Sequence, residues 1–471
     1  MVIVQRNSYI EEKKAEYNFK DNIESVSEKD SLKRYGAAID IGTTTVVVSV
    51  FDMTTGKLTG SKSETNCQVK YGSDVMMRIM HCGMGKSKLL HDMIISQIED
   101  IISDIFKINE IDGELKEIVV VGNTTMCHMF LGKDVSGLSG APFMPSYTGR
   151  IKCNGESIGM KSYPNSQIEV MPGIAGHVGS DAASFLMEEM LYTEDKIQLA
   201  VDIGTNAEII LNNHGKIYVC SAAAGPAFEG KGIKCGTRAV PGAVNSVKIS
   251  KANGNIILGV ISGDKGACHG DIVKGICGSG LVDAVSELLK TGIIQSDGYI
   301  LSKEEARESG IRKELSERLL SDEDGNYFVL YSSGHIEGQK DIIITQKDIR
   351  SVQLAKAAIQ AGAACLMDES GVTLDDLDEF IIGGVFGKFI NQSSAVNFGL
   401  LPKLKDIDIT YSGNAAGSGA AHALFDKGFS SSFEKYISKA VHIELADKKG
   451  FQNKFMNAME LKSWYDSNSA N

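Results

Sequence analysis

The chain has 471 residues, 43% of them hydrophobic and 23% charged, enough for two or more domains around a sizeable core. Its formal net charge of −12 argues against nucleic acid as a main partner, yet leaves small anions open, because backbone N–H groups bind them without net positive charge. The nine cysteines never fall at C-x-x-C spacing, no apolar run approaches a membrane span, and the start lacks a signal-peptide core, so a cytoplasmic protein without membrane partners and with structural thiols is expected.

Residues 1–34 are rich in Glu, Lys, Asp, Asn and Ser and read as a flexible or loosely docked tail. Order begins at Tyr35. GAAIDIGTTTVVVSVFDMTTGKL (36–58) reads as two β-branched strands joined by a Gly/Thr turn. MIISQIEDIISDIFKI (93–108) has the spacing of an amphipathic helix. KEIVVVGNTTM (116–126) is a buried strand entering a polar turn at Asn123, and GSDAASFLMEEML (179–191) is a helix with one small-residue face. LAVDIGTNAEIILNNHGKIYV (199–219) then repeats the opening pattern, with NNHG as a hairpin turn. The two Asp-Ile-Gly-Thr segments stand roughly 160 residues apart, so the duplication is on the scale of a domain. DIVKGICGSGLVDAVSELLKTG (271–292) is a Gly-rich turn into a helix, and 301–335 is charged and irregular, as expected of an insertion. KDIRSVQLAKAAIQAGAACLMDES (347–370) is a long Ala-rich helix. DEFIIGGVFGKF (378–389) is a strand ending in Gly-Gly, and SGNAAGSGAAHALF (412–425) is a turn into a small-residue helix. The expected division is lobe I over 35–196 and lobe II over 197–471, the latter holding the insertion and a C-terminal crossing helix.

The chemistry concentrates in the repeated turns. Gly42, Thr43, Thr44 and Thr45 offer backbone N–H groups and hydroxyls to a phosphate chain. Asp40, at the strand end, suits the hydration shell of Mg²⁺, a cation that takes few protein ligands. Asp202, Gly204, Thr205, Asn206 and Glu208 repeat the arrangement. Two such turns face to face would clamp a polyphosphate, with Asp40 and Asp202 as the metal and catalytic pair and Glu208 or Asp202 positioning an attacking water. Gly383 and Gly384, followed by Phe386, would let backbone lie against a purine and ribose, where a Cβ would collide. Gly278, Ser279 and Gly280 add a further Gly-rich ligand turn. Small faces on the 179–183 and 413–421 helices suit a close crossing at a hinge. Glu229 and Arg238 flank the Gly-rich stretch 225–236, where ligand contact and a structural ion pair are equally good readings. Cys127-His128 reads as a packed thiol beside a hydrogen-bonded histidine rather than a metal pair.

The order of phosphate turn, crossing helix, phosphate turn, Gly-Gly turn and crossing helix resembles the actin-like ATPase (ASKHA) superfamily. That implies an α/β fold of duplicated ribonuclease-H-like lobes around a nucleotide cleft binding ATP and Mg²⁺. Finer stretches narrow the resemblance: VVVGNTTMCHMFLGKDVSGLSGAPFMP (119–145), MPGIAGHVGSDAA (171–183), CSAAAGPAFEGKGIKCGTRAVPGAV (220–244), GICGSGLVDAVSELL (275–289) and IIGGVFGKFINQSSAVNFGLLP (381–402). These are similar to the reductive activators of corrinoid proteins, which return Co(II) to Co(I) in methyl-transfer pathways. The resemblance implies an ATPase coupled to electron transfer and a corrinoid methyl-carrier protein as partner.

Members of that family begin with a [2Fe–2S] ferredoxin domain, whose cysteine cluster is absent from residues 1–34. The expectation is therefore the ATPase part alone, with no iron–sulfur cluster and a separate ferredoxin-type donor; a homodimer is left open. Three other readings compete: an activator with an intersubunit cluster, as for 2-hydroxyacyl-CoA dehydratases, using Cys220 and Cys235 or Cys268 and Cys277; a small-molecule kinase; and an ATP-gated assembly or binding factor.

Overall fold

The computed structural model describes residues 2–7, 33–262, 273–334, 340–387, 389–405, 407 and 409–464. After β1 (Val2–Asn7), lobe I runs β2 (Arg34–Ile41), β3 (Thr45–Asp52), β4 (Leu58–Thr65), α1 (Val75–His81), α2 (Ser87–Ile108), β5 (Glu114–Gly122), α3 (Thr124–Phe130), β6 (Ile151–Asn154), β7 (Gln167–Val170) and α4 (Ser180–Glu188). Its sheet has the order β4-β3-β2-β5-β7-β6, with β2 antiparallel to β3 and parallel to β5. Strand side chains alternate between faces. Ala37, Ile39 and Ile41 meet Ile94, Ile98, Ile101 and Ile105 of α2, whose isoleucines recur at helical spacing. Ala38, Val119 and Val121 face the opposite way, toward α4.

Lobe II opens with β8 (Ile197–Ile203), β9 (Ala207–Asn213) and β10 (Lys216–Ala222). The β9–β10 turn is His214-Gly215, both at positive φ (50° and 82°), which matches the twist of a two-residue hairpin. Next come β11 (Ala243–Ile249), β12 (Ile256–Ile261), β13 (Gly275–Ile276), α5 (Gly278–Lys290), α6 (Lys303–Glu308), α7 (Lys313–Ser316), β14 (Leu319–Asp322), β15 (Gly325–Tyr331), β16 (Ile342–Thr345) and α8 (Gln346–Ser370). The chain ends with β17 (Glu379–Gly383), α9 (Gly384–Gly387), α10 (Gln392–Asn397), β18 (Ile409–Tyr411), α11 (Ala415–Phe425), α12 (Lys427–Ile437), β19 (Val441–His442) and α13 (Phe451–Asn457).

The second large sheet has the order β18-β17-β8-β9-β10-β19. Read outward, β4-β3-β2-β5-β7 and β10-β9-β8-β17-β18 correspond strand for strand, with the same parallel and antiparallel pairings. Between the sheets, α4 and α11 share one core with Ala38 and Val121 of lobe I and Ala200 and Ile381 of lobe II. They cross closely: a Cβ on Gly419 would stand 2.8 Å from Ser184 Cβ.

Two regions depart from the sequence reading. Val2–Asn7, inside the expected tail, is a strand lying parallel beside β12, Val2 opposite Ile256. Its Val-Ile-Val run completes the edge of the β12-β11-β13 sheet, a pairing no local signal in a charge-rich segment reveals; residues 8–32 lie outside the described residues. The expected irregular insertion near 301–335 is instead ordered structure up to Gly334. Ser302 and Glu305 form a capping box at α6, and β14, β15 and β16 make a three-stranded sheet. Its charges are exposed while Ala306, Leu315, Phe328 and Leu330 join the lobe II core or line it.

Candidate functional site

Both Asp-Ile-Gly-Thr turns lie at strand ends on one cleft of about 450 Å³ between the lobes. In the first, Gly42 N–H donates to Thr45 O (2.9 Å), and a Cβ on Gly42 would lie 2.7 Å from that carbonyl, so the hairpin needs glycine. Buried side chains hold the turn from behind. Asn66 Nδ2 donates to Gly42 O (2.9 Å), and the Arg78 guanidinium donates to Thr43 O. Arg78 also donates to Gly72 O (3.1 Å) and Gln68 Oε1 (3.3 Å), and burial lowers it to about 10. Asn123 Nδ2 donates to Thr43 Oγ1 (2.9 Å), while its Oδ1 caps α3 by accepting from Met126 N–H (3.0 Å).

In the second turn Gly204 N–H donates to Asn206 O (3.1 Å), and Thr205 O accepts from Gly225 N–H (2.8 Å). The turns meet across the cleft, Thr44 Oγ1 lying 3.0 Å from Thr205 Oγ1. Thr205 Oγ1 in turn donates to Glu229 Oε1 (2.7 Å).

Five carboxylates line the same cleft: Glu229, and a cluster of four made by Asp40, Asp181, Asp202 and Glu208. Burial, with Asp181 and Asp202 nearby, pushes Asp40 up to about 8, although an Asn414 hydrogen bond opposes this. Burial pushes Asp181 up to about 6, and burial together with Asp181 pushes Asp202 up to about 7. Glu208 rises well above the carboxylate range through burial and then through Asp181 and Asp202. Such a cluster favours a divalent cation, which would compensate the mutual repulsion. Among the described residues no group of three or more His, Cys, Asp or Glu is placed to hold a metal ion by itself.

At the far side, Gly384 has φ +81°, and a Cβ there would come 2.8 Å from Asp202 Oδ1. Phe389, Thr237, Arg238, Ala239 and the start of α5 line the rest. The structure thus gathers Asp40, Gly42, Thr43, Thr44, Thr45, Asp202, Gly204, Thr205, Asn206, Glu208, Gly278, Ser279 and Gly384 around one space. Gly280 and Gly383 do not line it. A Cβ on Gly280 would collide with Val244 O, so that glycine seats α5 on β11, and Gly383 packs against the Phe185 ring. The Phe386 side chain lies outside the described residues. Sequence reasoning did not name Asp181, Asn414, Asn66 or Arg78 as site residues. The first two open the small-residue helices α4 and α11, and that position was the available signal; Arg78 had none.

Cys127 and His128 are both buried, and His128 Nδ1 lies 2.7 Å from Thr124 O. No described helix is long and apolar enough to cross a membrane.

Two family models match the chain: the RACo middle region over residues 35–194, and the C-terminal domain of RACo, the ASKHA domain, over 196–468. The chain belongs to the RACo family. The corrinoid activation enzyme RamQ of Eubacterium limosum is 36% identical over 429 residues, 90% of this chain and 70% of RamQ. The [Co(II) methylated amine-specific corrinoid protein] reductase of Methanosarcina barkeri is 26% identical over 455 residues, 91% of this chain and 77% of the reductase. A solved reductive activator for corrinoid, iron-sulfur protein superposes with a TM-score of 0.81 at 34% identity, covering 92% of this chain and 67% of that one. The fold is therefore the actin-like ATPase (ASKHA) fold, and the cleft between the two turns lies in the RACo middle and C-terminal regions together.

Proposed function

We propose that this chain is an ATP-driven reductive activator that returns the cobalt of a partner corrinoid protein from Co(II) to Co(I), taking the electron from a separate low-potential donor of the ferredoxin type. The observation that carries the ATP half is the pair of Asp-Gly-Thr turns facing each other over four carboxylates. The corrinoid half rests on the relatives, each named for activating or reducing a corrinoid protein.

Mg-ATP, when bound, supplies a phosphoanhydride whose hydrolysis is strongly downhill. Thr43, Thr44, Thr45 and Thr205 would hold the phosphate chain, and Asp40 and Asp202 would hold the hydrated cation. Glu208, beside Asp202 on the paired strands β8 and β9, would position a water in the cleft by hydrogen bonding. The redox step is Co(II) plus one electron giving Co(I), and each ~59 mV of uphill potential costs tenfold in equilibrium. Closure of the lobes around α4 and α11 shifts that equilibrium only by binding one cobalt state better than the other.

A cluster shared across a dimer would need thiols at an outer surface. Cys220 is fully enclosed and Cys277 is buried at the cleft, while Cys235 is half-buried against Asp341 O; Cys268 lies outside the described residues.

The test is anaerobic spectroscopy of a Co(II) corrinoid protein mixed with this chain and a low-potential reductant, with and without Mg-ATP. ATP-dependent Co(I), lost in Asp202→Ala, is expected. Intact ATP binding without Co(I), across several corrinoid proteins and donors, would overturn the redox reading and leave an ATP-gated binding factor.

A further inference from the structure

The hydrogen bonds between the turns have a direction. A threonine hydroxyl carries one proton and two lone pairs, whereas an ionised carboxylate only accepts. Thr205 Oγ1 gives its proton to Glu229 Oε1 at 2.7 Å. It therefore accepts from Thr44 Oγ1 at 3.0 Å. Both protons are committed within the protein, and neither hydroxyl can donate to a phosphate oxygen while the chain from Thr44 to Glu229 stands.

Glu229 is fixed where it can do this. It ends the single turn Ala227–Glu229, closed by Gly230 at φ +76°. The loop is tied to the second phosphate turn by the Gly225 N–H bond to Thr205 O (2.8 Å). Further on, a Cβ on Gly230 would collide with Thr237 O and one on Gly236 with Gly230 O, so the ends of 230–237 are pressed together. Inside this loop Lys231 Nζ is buried and has no hydrogen-bond partner among the described residues. The charges it faces are Glu229, Arg238 and, from lobe I, Arg78. A buried ammonium without a partner is costly, and the carboxylate two residues before it is the nearest remedy in sequence.

We propose that Glu229 is a positioning residue that gates the phosphate site: it locks the Thr44 and Thr205 hydroxyls together in the nucleotide-free protein and releases them to a polyphosphate as its carboxylate passes to Lys231. This rests on the ATP reading above. The competition is specific to ligands that place phosphate between the turns, so AMP escapes it.

The test is calorimetric titration of Mg-AMP-PNP and of AMP into the wild-type chain, Glu229→Ala, Glu229→Gln, Lys231→Met and the Glu229→Ala/Lys231→Met pair, with thermal melts to establish folding. Glu229→Ala should bind Mg-AMP-PNP about tenfold more tightly, the worth of one hydrogen bond to a charged group, with AMP affinity unchanged. Glu229→Gln, whose amide oxygen accepts without charge, should fall between and serves if the alanine variant folds poorly. Lys231→Met should weaken Mg-AMP-PNP about tenfold when Glu229 is present and have no effect in the Glu229→Ala background. Unchanged or weaker Mg-AMP-PNP binding in Glu229→Ala overturns the gate. So does a Lys231→Met loss that persists without Glu229, which would place the ammonium on the phosphate itself. A wild-type chain that binds neither nucleotide brings down the ATP reading instead, and the gate with it.

Discussion

Thr44 and Thr205, 161 residues apart in the chain, meet hydroxyl to hydroxyl at 3.0 Å across the cleft. Each belongs to a turn at the end of the first strand of its lobe, so this contact is where the duplicated halves touch at the proposed phosphate site. In the nucleotide-free protein the Thr44 proton meets a neutral oxygen; with a phosphate between the turns it meets a charged one. Thr44→Val should therefore weaken Mg-ATP binding about fivefold, the difference between a charge-assisted and a neutral hydrogen bond. Thr44→Ser should retain wild-type affinity in the same calorimetric titration. Equal affinities for the valine and serine variants would remove Thr44 from the phosphate site.

The carboxylate cluster gives the protein a pH signature. Asp40, Asp181 and Asp202 titrate at about 8, 6 and 7 in the folded chain against 3.8 for a free aspartate. Between those limits the folded state holds more protons than the unfolded one, so stability falls as pH rises. Their favourable contribution is complete below the unfolded value and gone above pH 8. Asp40→Asn removes the uppermost of these titrations. Its melting temperature should match the wild type below about pH 4 and exceed it increasingly as pH rises, by several degrees at pH 8.5, without magnesium. Parallel melting curves across that range would show that Asp40 is not held protonated by its surroundings.

Arg78 is a buried guanidinium whose hydrogen bonds go to neutral acceptors: Thr43 O, Gly72 O, Gln68 Oε1 and Met126 Sδ. Its removal would orphan the buried Thr43 carbonyl and the part-buried Gly72 carbonyl and slacken the Gly42–Thr45 turn. Arg78→Met should lower stability by about 2–4 kcal/mol and weaken Mg-ATP binding, with Arg78→Lys recovering only part, since one ammonium cannot span both carbonyls. Chemical denaturation alongside nucleotide titration checks both. Lost stability with unchanged nucleotide affinity would confine Arg78 to folding.

What the sequence discloses of this site follows the range of the interactions. The hairpins at Asp40 and Asp202 are legible because a Gly/Thr turn between β-branched strands is local chemistry, and its repetition marks both copies. The Gly-Gly step is half legible. Gly384 needs φ +81° beside Asp202, whereas Gly383 and Gly280 serve packing against Phe185 and Val244, partners far away in the chain. Asp181, Asn414 and Arg78 act on Asp40 or Thr43 only after the sheets and crossing helices have formed, and no neighbouring residue announces them. For the same reason β1 is hidden: its partner, β12, lies about 250 residues on.

The crossing of α4 and α11 offers a test of how the lobes are coupled. Gly419 sits inside α11, where alanine would ordinarily stabilise a helix by roughly 0.5–1 kcal/mol. Here its Cβ would stand 2.8 Å from Ser184 Cβ, an atom fixed to the α4 backbone that cannot swing aside. The clash outweighs the propensity, and Gly419→Ala should destabilise by about 1–3 kcal/mol. Its effect on function should be larger than that. α4 carries Asp181 in its first turn, and Asn414, which hydrogen-bonds Asp40, caps α11, so prising the helices apart spreads the carboxylate cluster. Mg-ATP hydrolysis should fall further than Mg-ATP affinity. Ser184→Gly in the Gly419→Ala background restores the missing space and should recover both stability and hydrolysis. A double variant as impaired as the single one would mean that the crossing distance does not control the site.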